Sequence, residues 1–392
     1  MSDKTPASIH LINRSANGLR GIAALVVACA HFSAAFIPGM MNRIYPETFS
    51  QVLPGGLFDL VILSPICSIY YNGWLAVAVF FVLSGYVLTL PHFNGGPPGI
   101  LKQRMAGRFL RLNIPIFGAI FISYAFYAAH LYFNHPASKI SGSITWLDQP
   151  FSEGLTFGQA LKAAFYRAVL AGDNRFDNPL WTVSIEFFGS IQLLLFYIWK
   201  PKAWSATLTF LAVSLVLYLN KETGIFVAAM FLGAVLNVWK FRGRWLLFIF
   251  VLGYYFGGYQ HGSVFYDFLP TPEIYGGELA ARSRLYNTLG EILLTAAIVN
   301  GFAARLFQSA FAQFLGRISY PLYLLHFIIL FSLACALYIR LPTGPASLLM
   351  VFVAYLGTTF VASYYFARYV DSAAIRISHT ISNYLYSADD NT

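Results

Sequence analysis

Charged side chains are scarce in this sequence: only 10% of its 392 residues are Asp, Glu, Lys or Arg, against about 25% in a soluble domain. That scarcity excludes a water-faced globule and a charge-rich disordered chain alike. Cysteine is almost missing, and Cys29, Cys67 and Cys335 lie far apart. Neither a disulfide framework nor a cysteine metal site is expected, and the three read as small packing residues. Acidic groups are fewer than basic ones, 16 against 25. Internal repeats and low-complexity stretches are also lacking, which excludes solenoids and fibrous arrays.

What fills the chain instead is apolar. Hydrophobic residues make up 58% and aromatic ones 18%, gathered into runs close to the ~20 residues that cross a bilayer as a helix. Ten such runs are read, near 18–37, 73–91, 112–133, 180–199, 204–219, 223–239, 245–258, 287–304, 312–339 and 346–368. The expected fold is therefore all-α: a polytopic integral membrane bundle of about ten transmembrane helices. It spans 17–377, between tails at 1–16 and 378–392. A helical segment near 157–170 is expected in the second outer loop. Gly95-Gly96-Pro97-Pro98-Gly99 punctuates the chain before a basic helix.

Basic residues set the orientation. Lys4, Arg14 and Arg20 precede the first run, and Lys102, Arg104, Arg108 and Arg111 follow the second. Lys200, Lys202, Lys240, Arg242, Arg244, Arg305, Arg317, Arg368 and Arg376 occupy the later alternate connections. Together these hold 16 of the 25 basic residues but only four of the 16 acidic ones. By the positive-inside rule these connections and both termini are cytoplasmic, as in a multi-pass protein of the plasma (inner) membrane. The net charge of +9 is then a topology signal, and no nucleic-acid partner is expected. Ala28-Cys29-Ala30 would suit signal cleavage, but the apolar run continues to Ile37 and nine more follow, so the segment reads as a retained helix.

Two histidines fall inside the runs. His31 lies eleven positions after Arg20, hence about 16 Å deeper along one helix and on nearly the same face. Ala24, Val27 and Ala28 share that face, so a slim groove should lead from the cytoplasmic surface to the imidazole. An imidazole at that depth can act as a base or carry an acyl group, or it can simply bridge packed helices. Ionisable groups within a membrane favour function. Ser319, Tyr323 and His326 share a face of the ninth run, with His326 about 13 Å beyond Arg317. Two histidines at matching depth weigh against packing alone.

Arg104, Arg108 and Arg111 stand at i, i+4 and i+7. Their planar forks suit phosphate oxygens, and anionic lipid head groups equally. At the fourth run Asn178 reads as a helix cap and Pro179 as the first helical residue. Asn178, Thr182, Glu186 and Ser190 then repeat every four residues as a polar stripe. Glu186 is expected to bond a neighbouring helix in protonated form, to orient a histidine, or to contact a hydroxyl acceptor. Trp181 and Ser184 lie a turn above it. Glu291 sits nearer the outer surface. No metal-ligand spacing occurs.

With these pieces in place the sequence resembles the acyltransferase-3 family of membrane acyltransferases. The matching segments are Arg20-Gly21-Ile22-Ala23-Ala24-Leu25 with His31, Phe80-Phe81-Val82-Leu83-Ser84-Gly85-Tyr86, Arg108-Phe109-Leu110-Arg111, Trp181-Thr182-Val183-Ser184-Ile185-Glu186, and Ser319-Tyr320-Pro321-Leu322-Tyr323-Leu324-Leu325-His326. They stand in family order from about 16 to 377. The resemblance implies transfer of an acyl group, often acetyl, from cytoplasmic acyl-coenzyme A to a hydroxyl or amine, commonly on a surface saccharide or glycolipid. Coenzyme A is then a co-substrate, with no permanently bound cofactor. It further implies His31 as catalytic histidine, with Arg20, Arg108 and Arg111 on the donor side.

Joined to the residue reading, catalytic candidates are His31, Glu186 and His326, and donor-binding candidates Arg20, Arg108 and Arg111. Acceptor-side candidates are Trp181, Ser184 and Tyr323, with Glu186 beside Trp181. Expected partners are the saccharide acceptor, membrane lipids, and either glycan-assembly proteins or a second copy of the chain. One departure from the family is Tyr369-Val370-Asp371-Ser372-Ala373, where many members follow an acidic residue with a basic one and proline. No fused esterase-like domain is expected either. The competing readings are a transporter or flippase of a lipid-linked saccharide, and a scaffold subunit whose buried polar groups are structural.

Overall fold

Local rules account for most of the helices. The computed structural model describes residues 6–53, 55–97, 99–151, 154–199, 205–219, 223–270 and 279–389. All ten apolar runs are helical: α1 (Pro6–Phe36), α2 (Gly73–Phe93), α4 (Arg108–Ala128), α5 (Trp181–Trp199), α6 (Ser205–Leu219), α7 (Gly224–Val235), α8 (Arg244–Gly257), α9 (Leu279–Val299), α10 (Ala310–Ile329) and α11 (Pro345–Phe366). The basic segment after Gly99 forms α3 (Ile100–Ala106), and α12 (Ser372–Asp389) ends the described chain. Asn72 caps α2 through Leu75 N, and Ser309 caps α10 through Ala312 N. The outer-loop segment is helical from Phe157 to Ala171, opened by a Thr156–Gln159 capping box. The fourth run starts differently from expectation. Asn178–Leu180 is a 3₁₀ turn, so Asn178 lies inside it and Asp177 takes the capping position without a side-chain bond. Lys4, Lys200 and Lys202, with Asp3 and Asp390, lie outside the described residues.

Six segments among the described residues are long and apolar enough to cross a membrane: Arg14–Phe36, Gly73–Phe93, Ile100–Ala128, Asn178–Trp199, Ala310–Arg340 and Pro345–Leu385. The chain is a multi-pass membrane protein. These segments are six of the ten runs; among the described residues the other four fall short of that measure, three of them for a simple reason of length. At 1.5 Å per residue, helices the size of α7 and α8 extend only about 18–21 Å, against ~30 Å of hydrocarbon. α6 has 15 residues, and α9 carries Arg282, Arg284 and Glu291.

Small residues bring the helices together, as expected where lipid offers no hydrophobic drive for association. α1 packs along α10 and α2 along α7. A Cβ on Gly21 would meet the Gly316 nitrogen at 2.3 Å, and one on Gly316 would meet Asn17. Gly85 of α2 and Gly233 of α7 touch each other's helix backbone in the same way. The first contact positions the histidines. His31 and His326 each lie ten residues beyond Gly21 and Gly316, which lifts both about 15 Å along two parallel helices. The histidines therefore arrive at the same height.

Candidate active site

Two cavities meet between α1, α2, α5 and α10. The larger, about 760 Å³, is lined at one end by Arg20, Arg104, Arg108 and Arg111, together with Glu186, Ser84 and the Asn94-Gly95-Gly96 loop. All three donor-side candidates and Arg104 thus face one space. Arg108 donates Nε to Ser190 Oγ at 2.9 Å and bonds Glu186, which also accepts from Ser84. The Glu186–Ser190 half of the polar stripe of α5 is consequently filled by one guanidinium. Arg111 donates to Asp371 at 2.5 Å and lies over the Tyr320 ring. Asp371, noted in the sequence only as a departure, is therefore the carboxylate that holds Arg111. It is presented by a wide helical turn, Ala367–Asp371, between α11 and α12. Arg104 donates to the Val87 and Leu88 carbonyls of α2, one turn before Pro91. Arg20 donates to Asn17 and has no carboxylate partner among the described residues. Four guanidiniums against two carboxylates leave the chamber cationic.

The smaller cavity, about 190 Å³, holds His31 among Trp74, Trp146, Trp181, Tyr45 and Phe49, and among the described residues no charged side chain lines it. His31 Nδ1 lies 2.7 Å from His326 Nε2, with the two rings parallel within 5°. His326 Nδ1 lies 3.0 Å from the Leu322 carbonyl oxygen. A carbonyl can only accept, so in the neutral pair His326 carries its proton on Nδ1 and accepts at Nε2. The proton between the rings then belongs to His31 Nδ1, and His31 Nε2 keeps a free lone pair. The depth match read from the sequence is thus a direct hydrogen bond. It also sets the tautomer, as an orienting partner does for a catalytic base.

Other candidates divide between the cavities. Glu186 lines the arginine chamber, while Trp181 lines the histidine chamber; the two expected together are apart. Ser184 lines neither and lies against Gly172. Tyr323 lines both cavities. Glu291 is buried near Thr295, away from both. Sequence reasoning missed Trp74, Tyr45 and Trp146. Trp146 comes from the outer loop, where Ser143 Oγ donates to the Ala34 carbonyl at 2.7 Å and sets the indole 5.5 Å from the His31 ring. An isolated tryptophan in a polar loop is the only signal it carried.

The turn leading into α5 holds one costly group. Asp177 is fully buried and neither carboxyl oxygen has a partner among the described residues. Burial holds its carboxyl well above the usual range, whereas neighbouring Asp173, bonded by Arg175, is held below it. A carboxyl raised on folding binds its proton more tightly in the native state. Stability is then greatest below the unfolded value of about 3.9 and declines as pH rises towards the folded one. Asp177→Asn should raise the melting temperature in detergent by a few degrees at pH 8, by less at pH 5, and leave it near wild type below about pH 4. Parallel wild-type and variant curves across that range would remove Asp177 from the pH response.

A family model described as an acyltransferase domain matches residues 13–368. No curated protein and no solved structure matches the chain.

Proposed function

This chain belongs to the acyltransferase-3 family, and on that premise we propose that it acylates, with acetyl the simplest group, a hydroxyl of a saccharide or glycolipid. The donor is acyl-coenzyme A. The observation carrying this reading is that a cationic chamber and a histidine chamber meet at Val77 and Tyr323. Coenzyme A phosphates would sit against Arg20, Arg108 and Arg111, where charge-assisted forks are strongest. The thioester arm would extend towards His31. His31 Nε2 takes the proton of the acceptor hydroxyl, whose oxygen attacks the thioester carbonyl. The C–S bond breaks, and the thiolate leaves with that proton. His326 holds the tautomer. Glu186 and Asp371 keep two of the arginines in place.

The acceptor chamber supports a neutral ring. It is smaller than the ~300–1,000 Å³ of drug-sized ligand pockets, uncharged, and walled by three indoles. Aromatic walls of this kind pack against the C–H face of a sugar while its hydroxyls bond elsewhere. In the proposed topology the chain passes the membrane ten times, with the arginine end and both termini cytoplasmic, as the basic residues direct.

The test is turnover of labelled acyl-coenzyme A by purified protein in vesicles, with neutral hexosides, uronates and amines as acceptors. Acyl hexoside and free coenzyme A in equal amounts are expected. Coenzyme A release without any acylated acceptor would defeat the assignment. A trapped acyl-histidine would replace the direct route with a covalent relay through the same Nε2. Family membership weighs against the transporter reading, which predicts movement of a lipid-linked saccharide with no thioester consumed.

A further inference from the structure

Among the described residues only Val77 and Tyr323 line both cavities, and the Tyr323 ring is fastened across the gap between them. Its hydroxyl lies 2.7 Å from Thr182 Oγ1 and donates to the Pro179 carbonyl at 2.9 Å. Thr182 reaches the same carbonyl at 3.1 Å. Phe80 of α2 meets the ring edge-on at 5.5 Å, and Tyr323 is only 7% exposed. The wall is thus built from α10, α5 and α2. Thr182 faces the arginine chamber and Pro179 the histidine chamber.

We propose that Tyr323, latched by Thr182 and the Pro179 carbonyl, is the gate between the two chambers and decides whether the acyl group passes to the acceptor or to water. This rests on the two-substrate reading above. The thioester arm enters from the arginine side, whereas His31 lies on the other, so the ring must swing aside in every turnover. A latch of neutral hydrogen bonds holds a ring in place yet yields to a bound ligand, because each bond is worth little net. The same turn serves both roles: Pro179 carries the latch oxygen, and Asn178, Pro179 and Trp181 line the acceptor chamber. An acceptor seated there bears directly on the latch. Without an acceptor the closed ring keeps water and thioester apart. If it opens early, the oxygen of water bonds to the acyl carbon, the C–S bond breaks, and a carboxylic acid and free thiol result. Chambers facing opposite sides of a membrane would also join into a water path if the wall were lost.

Tyr323→Phe keeps the ring and removes the latch, and Thr182→Val removes it from the other side. In vesicles each variant should raise the ratio of acceptor-independent hydrolysis to acyl transfer by about three- to tenfold, and the double variant no more than either alone. Tyr323→Ala should in addition speed proton leak, read by a pH-sensitive dye inside the vesicles. An unchanged ratio in both single variants, or equal loss of hydrolysis and transfer, would overturn the gate. So would a Tyr323→Ala leak equal to wild type. Wild-type protein that consumes no thioester at all would instead defeat the acyl-transfer reading, while the leak measurement still decides the fate of the wall.

Discussion

His31→Ala is expected to reduce acyl transfer by about 10²–10⁴-fold, the usual contribution of a positioned acid–base group, in protein that melts like wild type. The substitution removes the only lone pair that the His31–His326 bond leaves facing the acceptor chamber. His326 is one step removed. It positions His31, so His326→Ala should cost about 10–100-fold, as loss of the orienting partner does for a metal-bound histidine. His326→Gln keeps an acceptor towards His31 Nδ1 and should recover part of that loss. The double variant should be no worse than His31→Ala, because the two rings act as one unit. Full turnover in folded His31→Ala would end the histidine assignment. Equal losses in His326→Ala and His326→Gln would reduce His326 to a packing role.

The second large effect concerns Arg108. Its guanidinium and the Glu186 carboxylate form a mostly buried pair, with side chains 12% and 18% exposed. Removing one partner of such a pair costs about 3–5 kcal/mol, because the other charge is left uncompensated. Arg108→Ala should therefore lower the melting temperature and also raise the KM for acyl-coenzyme A. A lost charge-assisted bond of about 1.5–3 kcal/mol corresponds to about 10–150-fold in affinity. Arg108→Ala combined with Glu186→Gln removes the stranded charge. It should restore most of the melting temperature and none of the KM. If both return together, Arg108 serves the fold and the donor sits elsewhere.

Relations along one helix were legible in the sequence. Helical period and rise placed Arg20 and His31 on one face, spaced Arg108 from Arg111, and laid Thr182, Glu186 and Ser190 in one stripe. The structure brings Arg20, Arg108 and Arg111 to one cavity while His31 opens into the other, with Ala24 and Ala28 lining neither, and the Glu186–Ser190 part of the stripe is the seat of Arg108. Relations between helices were not legible. Glu186 was left between a bond to a neighbouring helix, a histidine and an acceptor, and the neighbouring helix presents Arg108 at its height. Asp371 looked like a flaw in the last helix, and a wide turn aims it at Arg111. The number of full spans was not legible for a different reason. Apolar composition is satisfied equally by a membrane crossing and by a short helix buried among others, as α7 is.

Composition, basic asymmetry and helical spacing by themselves determined that this chain is a multi-pass helical membrane protein with two histidines at one depth, each reached from a basic end. Those properties depend on residues near one another in the chain, where backbone geometry alone relates them. Only the tertiary structure decided that the histidines share a proton, that Glu186 belongs with Arg108, and that Trp146 covers His31. It also decided that Tyr323 stands between two cavities. Each of these needs a rotation and an axial offset between separate helices, set by contacts such as Gly21 on Gly316. Side-chain packing over the whole bundle chooses those offsets, and no local pattern encodes them.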